Sequence, residues 1–376
     1  MAEKTILNFH GLEVRVADEA TNGIIDILNH TIQGSEGGLR FSLQNAATRI
    51  REYGKHIRFL SLYRKNKITG TCGACFRLTG TGNMQYHTTY IRYLAFHPVY
   101  QSSTDWKKKE NRSGSKAEQA EDSFKRRTLD ILSKPSLLDY PEIKDTDKHI
   151  MYAFVESMNE RSKNLVHQAG FEYIRSFLTV AFSRFSPKTD NRVSKLKASD
   201  YGKMRTILKD HYRDHSFFHL NNFFPETCYA LEENGQIAAA VSAVPGQYKI
   251  YDMPGIWGWV IMKVLPRMPY FKRLFQPGLF RYLVFDYIYC LPGREELLAP
   301  LFETACASEG FNTALTWMDD RTDFYDKLRT EVKMGALNRM LNAKPGLVYA
   351  RFINFTEADK ESFYNAPAYV SGYDMT

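Results

Sequence analysis

The chain has 376 residues, is 44% hydrophobic, and carries a formal net charge of +8 with a pI near 9.0. This length exceeds one typical domain and predicts two, each long enough to bury a sizeable core. Five scattered cysteines are too few for a disulfide framework, which predicts free thiols. No charged segment with a following apolar run opens the sequence, so we expect no secretory signal and a cytoplasmic location. The positive charge allows a polyanionic partner, but it equally fits a solvated surface.

The first half of the sequence begins with alternating strand and helix patterns. Residues 12–17 (LEVRVA) alternate as a strand does, and Asp18 is a plausible N-cap for the helix that follows. Residues 56–80 predict a hairpin that turns near Asn66, and a strand follows at 90–96. The hairpin contains a Cys-x-x-Cys pair at 72–75, but strand alternation places its two thiols on opposite faces, so we expect no metal or redox site.

Residues 149–185 read in order as strand, capped helix, glycine stop and further strands. The run at 150–155 is apolar and of strand length. Ser157 and Glu160 form a capping box, which predicts a helix that starts at Met158. Gly170 then supplies the left-handed end of that helix.

The string NERS, which begins at Asn159, and the Gly-Phe pair at 170–171 resemble the last strand-helix-strand unit of the GNAT acyltransferase superfamily. Members of that superfamily move an acyl group from coenzyme A to an amine. The resemblance implies that Asn159 and Ser162 lie beside the pantetheine arm of the donor. It also implies a tyrosine seven residues after the asparagine, which protonates the departing thiolate, but this chain has Val166 there.

The second half of the sequence repeats the same order of elements. Residues 192–197 predict a strand, Ser199 an N-cap, and the residues after it a helix. A hairpin turn is predicted at residues 234–235 (Asn-Gly), and strands follow at 282–290 and 313–318.

Two diverged copies of one fold explain this repeat. The resemblance implies an α/β protein of two tandem GNAT-like domains at 1–186 and 192–376, each with a central mixed β-sheet flanked by helices. The polar stretch SPKTDN at 186–191 is the predicted linker.

The donor site of that superfamily lies where the fourth strand ends and a helix begins, because free NH groups there bind pyrophosphate. In the first half this strand ends at Phe96, and a basic insertion follows at 101–116. The resemblance therefore assigns acyl-CoA binding to Phe96 and to the residues around the next helix start, namely Arg112, Ser113, Gly114, Ser115 and Lys116. The other interpretation of the insertion is a solvated surface loop. In the second half Leu297 stands where the signature has glycine, so we expect that half to be degenerate.

A second insertion, at 253–278, interleaves aromatic and aliphatic residues with cations. It is too short and too charged to span a bilayer. Three interpretations remain open: contact with a membrane surface or lipid, the wall of a long-chain acyl pocket, or a buried inter-domain helix with a basic edge.

Three residues are candidates for catalysis. His97 closes the fourth strand of the first half and suits a general base, although it is also an ordinary polar strand end. Asp286, inside the matching apolar strand of the second half, is a base or a satisfied structural carboxylate. Tyr325 lies near the family's tyrosine position and is a candidate thiolate acid.

The sequence therefore predicts an acyltransferase that uses acetyl-CoA or another acyl-CoA as co-substrate. We expect direct attack by a small-molecule or peptide amine, with no metal and no covalent enzyme intermediate. Two alternatives stay open. An aminoacyl-tRNA-dependent transferase is allowed by the charge, although we do not expect a nucleic acid partner. A catalytically decayed GNAT-fold binding protein is favoured by Val166 and the degenerate signature. The acceptor, the acyl length and the oligomeric state are left undetermined.

Overall fold

The computed structural model describes residues 3–9, 11–35, 37–44, 46–82, 84–97, 131, 134–341 and 343–376. Its strands are β1 (Glu3–Phe9), β2 (Leu12–Ala17), β3 (Arg40–Leu43), β4 (Ile57–Arg64), β5 (Lys67–Thr81), β6 (Met84–Phe96), β7 (His149–Glu156), β8 (Glu172–Ser183), β9 (Val193–Lys195), β10 (Cys228–Glu233), β11 (Gln236–Asp252), β12 (Phe280–Cys290), β13 (Thr313–Asp319) and β14 (Gly346–Ile353). Its α-helices are α1 (Asn22–His30), α2 (Ala46–Tyr53), α3 (Glu160–Gln168), α4 (Tyr201–His211), α5 (Gly255–Trp259), α6 (Pro269–Lys272), α7 (Leu298–Glu309), α8 (Asp323–Glu331), α9 (Ala336–Met340) and α10 (Glu357–Asn365).

One mixed sheet joins the strands of both halves in the order β1-β2-β4-β5-β6-β7-β14-β8-β13-β12-β11-β10-β9, and β3 pairs with β11. The pairs β6–β7 and β12–β13 are parallel, and the other neighbours are antiparallel. Strand β14, from the end of the chain, lies between β7 and β8, while β8 pairs with β13. The predicted mixed sheet with flanking helices is confirmed. Strand β14 of the second half pairs with β7 of the first half, and β8 of the first half pairs with β13 of the second.

Both predicted hairpins are confirmed. In the first, Lys65 and Asn66 have φ angles of 48° and 60° between β4 and β5. In the second, Asn234 and Gly235 have φ angles of 52° and 74° between β10 and β11. Two consecutive left-handed residues form the tight turn whose twist matches that of paired strands, and asparagine and glycine tolerate this conformation.

The predicted helix starts are wrong by a few residues. Helix α1 is capped by Thr21, not by Asp18, because the Thr21 hydroxyl accepts a hydrogen bond from the NH of Ile24. Helix α3 starts at Glu160 and not at Met158, since the side chain of Asn159 caps it. The NH of Ser157 instead donates to a backbone oxygen just before β14, so this residue still belongs to the end of the sheet.

Two further helix ends were predicted from the sequence. Ser199 lies in the 3₁₀ turn Ala198–Asp200 that precedes α4, and it is therefore not an N-cap. Gly170 has a φ of +75° directly after α3, as predicted for a left-handed helix end.

One apolar cluster, here called the central core, combines side chains from both halves of the sequence. Its large members include Ile50, Phe59, Tyr90, Tyr152 and Phe177 from the first half and Val244, Tyr248, Tyr282, Trp317 and Phe363 from the second. Smaller clusters pack on the opposite sheet faces, as the neighbouring residues Phe59 and Leu60 show by belonging to different clusters. The central core therefore holds the two halves together.

Candidate functional site

The two parallel strand pairs separate at their carboxyl ends. In the first half, β6 and β7 pair only from His87/His149 to Ile91/Ala153, although both strands continue beyond those residues. In the second half, β12 and β13 pair at only two positions near their starts. We call the resulting gaps the first opening, beside residues 92–96, and the second opening, beside residues 285–290.

A backbone distortion marks the same place in both halves. Tyr93 in β6 has a φ of 53°, next to an irregularity in the pairing of β5 with β6. Tyr287 in β12 has a φ of 50°, next to a similar irregularity in the pairing of β11 with β12. Non-glycine residues rarely adopt positive φ, and a bulge redirects the backbone groups that follow it. These matching distortions support the internal repeat.

The second opening is filled by the chain itself. The NH of Ala368 donates to the carboxylate of Asp319, at the end of β13, over 2.8 Å. Gly372 lies so close that a Cβ added to it would stand 2.6 Å from a methyl group of Val284 and 3.3 Å from the ring of Trp317. Residues 368–373 therefore occupy the space between β12 and β13.

Asp286 holds this segment in place. Its carboxylate accepts hydrogen bonds from the hydroxyls of Tyr369 and Ser371, over 2.5 and 2.7 Å, and from the NH groups of Tyr373 and Tyr287, over 3.2 and 3.0 Å. Burial raises the pKa of Asp286, although these four donors oppose the shift. The four donors favour the structural-carboxylate alternative for this residue.

Tyr325 lies in the apolar core of the second half. Its side chain is buried in the cluster that contains Phe302. Its NH donates to the hydroxyl of Thr322, the N-cap of α8, so it stands three residues after a cap, as Ser162 does in α3. Counted from the cap, the position of the family's tyrosine in this half falls on Arg329, four residues later.

Four of the residues predicted from the sequence lie just beyond the paired parts of β6 and β7, the strands that border the first opening. Phe96 and His97 are half-buried at the end of β6, and the NH of His97 donates to the carbonyl of Thr69. Asn159 and Ser162 are half-buried at the start of α3, directly after β7. The side-chain oxygen of Asn159 accepts from the NH of Ser162 over 3.0 Å. The insertion at 101–116, with Arg112, Ser113, Gly114, Ser115 and Lys116, lies outside the described residues.

Val166 is partly buried and packs against the apolar cluster that contains Phe171. No hydroxyl stands at that position of α3 to protonate a leaving group. Cys72 and Cys75 belong to clusters on opposite faces of the sheet, and burial raises the pKa of each thiol to about 12. Among the described residues there is no cluster of side chains suited to hold a metal ion.

Sequence reasoning missed a polar cluster buried inside the central core. Arg77 on β5 donates two hydrogen bonds to Asp374, over 2.7 and 3.1 Å, and a third to the hydroxyl of Tyr152 over 3.1 Å. The side chains of Arg77 and Asp374 are each 1% exposed. Asp374 also accepts from Asn222 over 2.9 Å and from Tyr53 over 2.8 Å. An arginine inside the apolar strand pattern CFRLTG was the available signal.

The charges in this cluster are fixed by their neighbours. Burial opposes ionisation of Asp374, but the Arg77 guanidinium holds the pKa of that carboxyl well below its usual range. Burial, reinforced by Arg77, lowers the pKa of His219 to about 4, so this imidazole is neutral at pH 7. Arg92 donates to Tyr53 and to the backbone oxygen of Thr376, over 2.5 and 2.6 Å. The cluster thereby ties residues 374–376 to strands of the first half.

Comparisons with solved structures agree with this architecture. No family model matches the sequence, and no curated protein sequence is significantly similar to it. Saccharomyces cerevisiae N-myristoyltransferase with bound myristoyl-CoA superposes with a TM-score of 0.55 at 13% identity, over 93% of this chain and 84% of that one. A second structure of that enzyme gives a TM-score of 0.56 at 12% identity, over 93% of this chain and 80% of the other. The chain has the N-myristoyltransferase fold.

This fold confirms the predicted GNAT-like architecture at the level of topology. Phe96 and His97 stand at the end of β6, and Asn159 and Ser162 at the start of α3 after β7, whereas Asp286 and Tyr325 lie in the other half. No helix in the described part of the chain is long and apolar enough to cross a membrane.

Proposed function

We propose that this chain transfers an acyl group from coenzyme A to an amine and that the first opening receives the thioester of the donor. The observation that carries the proposal is the contrast between the two openings. Residues 368–373 fill the second one, which favours the first as the place where the donor enters. The likeness to an enzyme solved with myristoyl-CoA supports an acyl-CoA as the donor.

The backbone of β6 is suited to stabilise the reacting carbonyl. Alternate NH groups of this strand point away from β5, and beyond Ile91 they no longer meet β7. Preorganised NH groups aimed at a developing oxyanion lower the barrier of acyl transfer. The bulge at Tyr93 sets the direction of the groups that follow it.

In this proposal Asn159 and Ser162 border the pantetheine arm, and His97 removes the proton from the attacking amine. Asn159 already uses its side-chain oxygen as a helix cap, which leaves its NH₂ group to donate to the donor's amides. His97 stands at the rim of the first opening, where an amine approaching the thioester would pass. The transfer is direct: the amine nitrogen bonds to the acyl carbon, the carbon–sulfur bond breaks, and coenzyme A leaves as its thiolate without an acyl-enzyme intermediate.

Calorimetry with coenzyme A, acetyl-CoA and myristoyl-CoA tests donor binding. The variant Ser162→Arg fills the first opening and should weaken acyl-CoA binding at least about tenfold. Asn164→Arg, on the exposed side of the same helix, is the matched control and should bind as the wild type does. Equal affinities of the two variants, or no binding of any donor by the wild type, would contradict the proposal.

A second candidate is a protein that binds acyl-CoA without transferring the acyl group. The apolar surroundings of Val166 favour it, since they leave α3 without the expected acid. Release of free thiol during incubation with a panel of amines and peptides distinguishes the two. Transfer predicts release, and His97→Gln should slow it by about 10²-fold to 10⁴-fold while donor affinity is kept. Binding with no thiol release from any acceptor favours the second candidate.

A further inference from the structure

The insertion at 253–278 forms an anchored helical segment on the second half. Helix α5 continues as a π-helical turn, Val260–Val264, and then a 3₁₀ turn, Leu265–Arg267. Ile261 and Leu265 are buried in the central core and fix one side of this segment. Gly258 permits a close approach, because a Cβ there would lie 2.3 Å from the carbonyl oxygen of Met253.

The opposite side of the segment presents large apolar side chains to solvent. Their exposed fractions are 78% for Ile256, 56% for Trp257, 59% for Trp259, 45% for Met268 and 71% for Tyr270. Side chains of this kind are usually buried, as Ile261, Leu265 and Phe275 of the same segment are in the central core. A cluster of exposed aromatic and aliphatic residues marks an interaction surface.

The segment that carries this surface has charges of one sign, although the exposed Asp252 directly precedes it. Between residues 253 and 281 the sequence contains five cations and no acidic residue: Lys263, Arg267, Lys272, Arg273 and Arg281. All five are exposed, and within the described ranges none of them forms an ion pair. Three of these cations, Lys272, Arg273 and Arg281, line a cleft of about 180 Å³ beside α6, so an anionic group would be surrounded by uncompensated positive charge.

We propose that this surface docks the protein on an anionic membrane, with the apolar side chains in the interfacial layer and lipid phosphates at the cations. Tryptophan and tyrosine favour the boundary between lipid headgroups and acyl chains, and lysine and arginine beside them add attraction to anionic lipids. A membrane fits the surface better than a nucleic acid does, because Ile256 and Met268 offer aliphatic contact where base recognition needs planar or polar groups. The inference is independent of the acyl transfer proposed above.

Co-sedimentation of the full chain with vesicles tests the inference. The wild type should bind vesicles of an equal mixture of phosphatidylcholine and phosphatidylserine, with little binding to phosphatidylcholine alone. The variant Lys272→Gln/Arg273→Gln should lose about fivefold in partitioning for each cation removed, and less at high salt. The double change Lys203→Gln/Lys209→Gln, which removes two exposed cations from α4, is the matched control and should leave partitioning nearly unchanged.

A second experiment measures how much the exposed tryptophans contribute to vesicle binding. Trp257→Ser/Trp259→Ser should lose vesicle binding while its thermal unfolding midpoint stays near that of the wild type, because both indoles are exposed. Tryptophan emission of the wild type should shift to shorter wavelength on anionic vesicles, and this shift should vanish in the double variant. Failure to bind anionic vesicles, equal losses in the two charge variants, or Trp257-dependent binding of a single-stranded oligonucleotide in place of vesicles would overturn the proposal.

Discussion

Replacing Arg77 by methionine should destabilise the protein strongly. The change removes two hydrogen bonds to Asp374 and one to Tyr152, and it leaves the carboxyl of Asp374 without its cation in a site where both side chains are 1% exposed. Breaking a buried pair by deleting one partner costs about 3–5 kcal/mol, because the remaining charge is uncompensated. Urea denaturation at pH 7, with the unfolding free energy extrapolated to water, measures the loss.

The same variant should respond differently to pH. In the wild type the pKa of Asp374 is well below its usual range, so its stabilising contribution is complete above the unfolded pKa of about 4 and is lost only as the pH falls below it. Without Arg77, burial would raise that pKa above the unfolded value. The folded variant then holds a proton that the unfolded chain has released, so its stability falls as the pH rises, and the difference in unfolding free energy between variant and wild type should shrink from pH 7 to pH 5.

Two controls separate this effect from ordinary side-chain loss. Arg213→Met breaks an exposed pair with Asp210, whose side chains are 56% and 60% exposed, and should cost less than about 1 kcal/mol. The double variant Arg77→Met/Asp374→Asn should be more stable than Arg77→Met alone, because no charge stays buried. A loss below about 1 kcal/mol for Arg77→Met, or no difference between pH 7 and pH 5, would refute the reasoning.

Three other substitutions have definite expected outcomes. Gly372→Ala should lower the unfolding free energy by about 1–3 kcal/mol in chemical denaturation, since the added Cβ meets Val284. Gly202→Ala, which has open space around it in α4, should stabilise the protein, and equal effects of the two changes would argue against a filled second opening. Asn159→Ala should lower the melting temperature because it removes a helix cap that stabilises the protein by about 1 kcal/mol, whereas Asn159→Asp keeps a capping oxygen and should not. A lower melting temperature in both variants would exclude the cap as the cause. Burial, and then the charge of His87, lowers the pKa of His149 to about 4, so the contribution of this residue to stability is complete above pH 6.5 and falls towards pH 4. In His149→Gln the slope of the unfolding free energy against pH in this range should be flatter by at most about 1.4 kcal/mol per pH unit, and an unchanged slope would contradict a neutral imidazole.

The candidate site was only partly predictable from the sequence. Asn159 and Ser162 were predicted from the resemblance of the NERS string to a known strand-helix-strand unit, and Phe96 and His97 from the end of the fourth strand of the first half; their roles stay predictions. For Asp286 the sequence left two alternatives, because an acid in an apolar strand has the same pattern whether it is a base or a structural acceptor. Its four donors come from residues 1 to 87 positions away, and three of them lie in the last eight residues.

Local interactions explain what the sequence by itself determined. The hairpins at 65–66 and 234–235, the left-handed Gly170 and the strand bounds depend on φ preferences and on side-chain alternation among near neighbours. The helix caps were misplaced because several residues near each start can cap, and the end of the preceding strand ladder decides which one does. Serine, threonine, asparagine and aspartate are similar in this role.

Tertiary structure alone decided the rest. Sheet order placed β14 between β7 and β8, although all three strands have ordinary strand patterns and none of those patterns encodes a partner. Packing placed residues 368–373 in the second opening, and this contact distinguishes the second half from the first. Arg77 and Asp374 stand 297 residues apart in the sequence. Their pairing depends on the burial of both side chains in the central core, because a buried charge needs a partner of opposite charge.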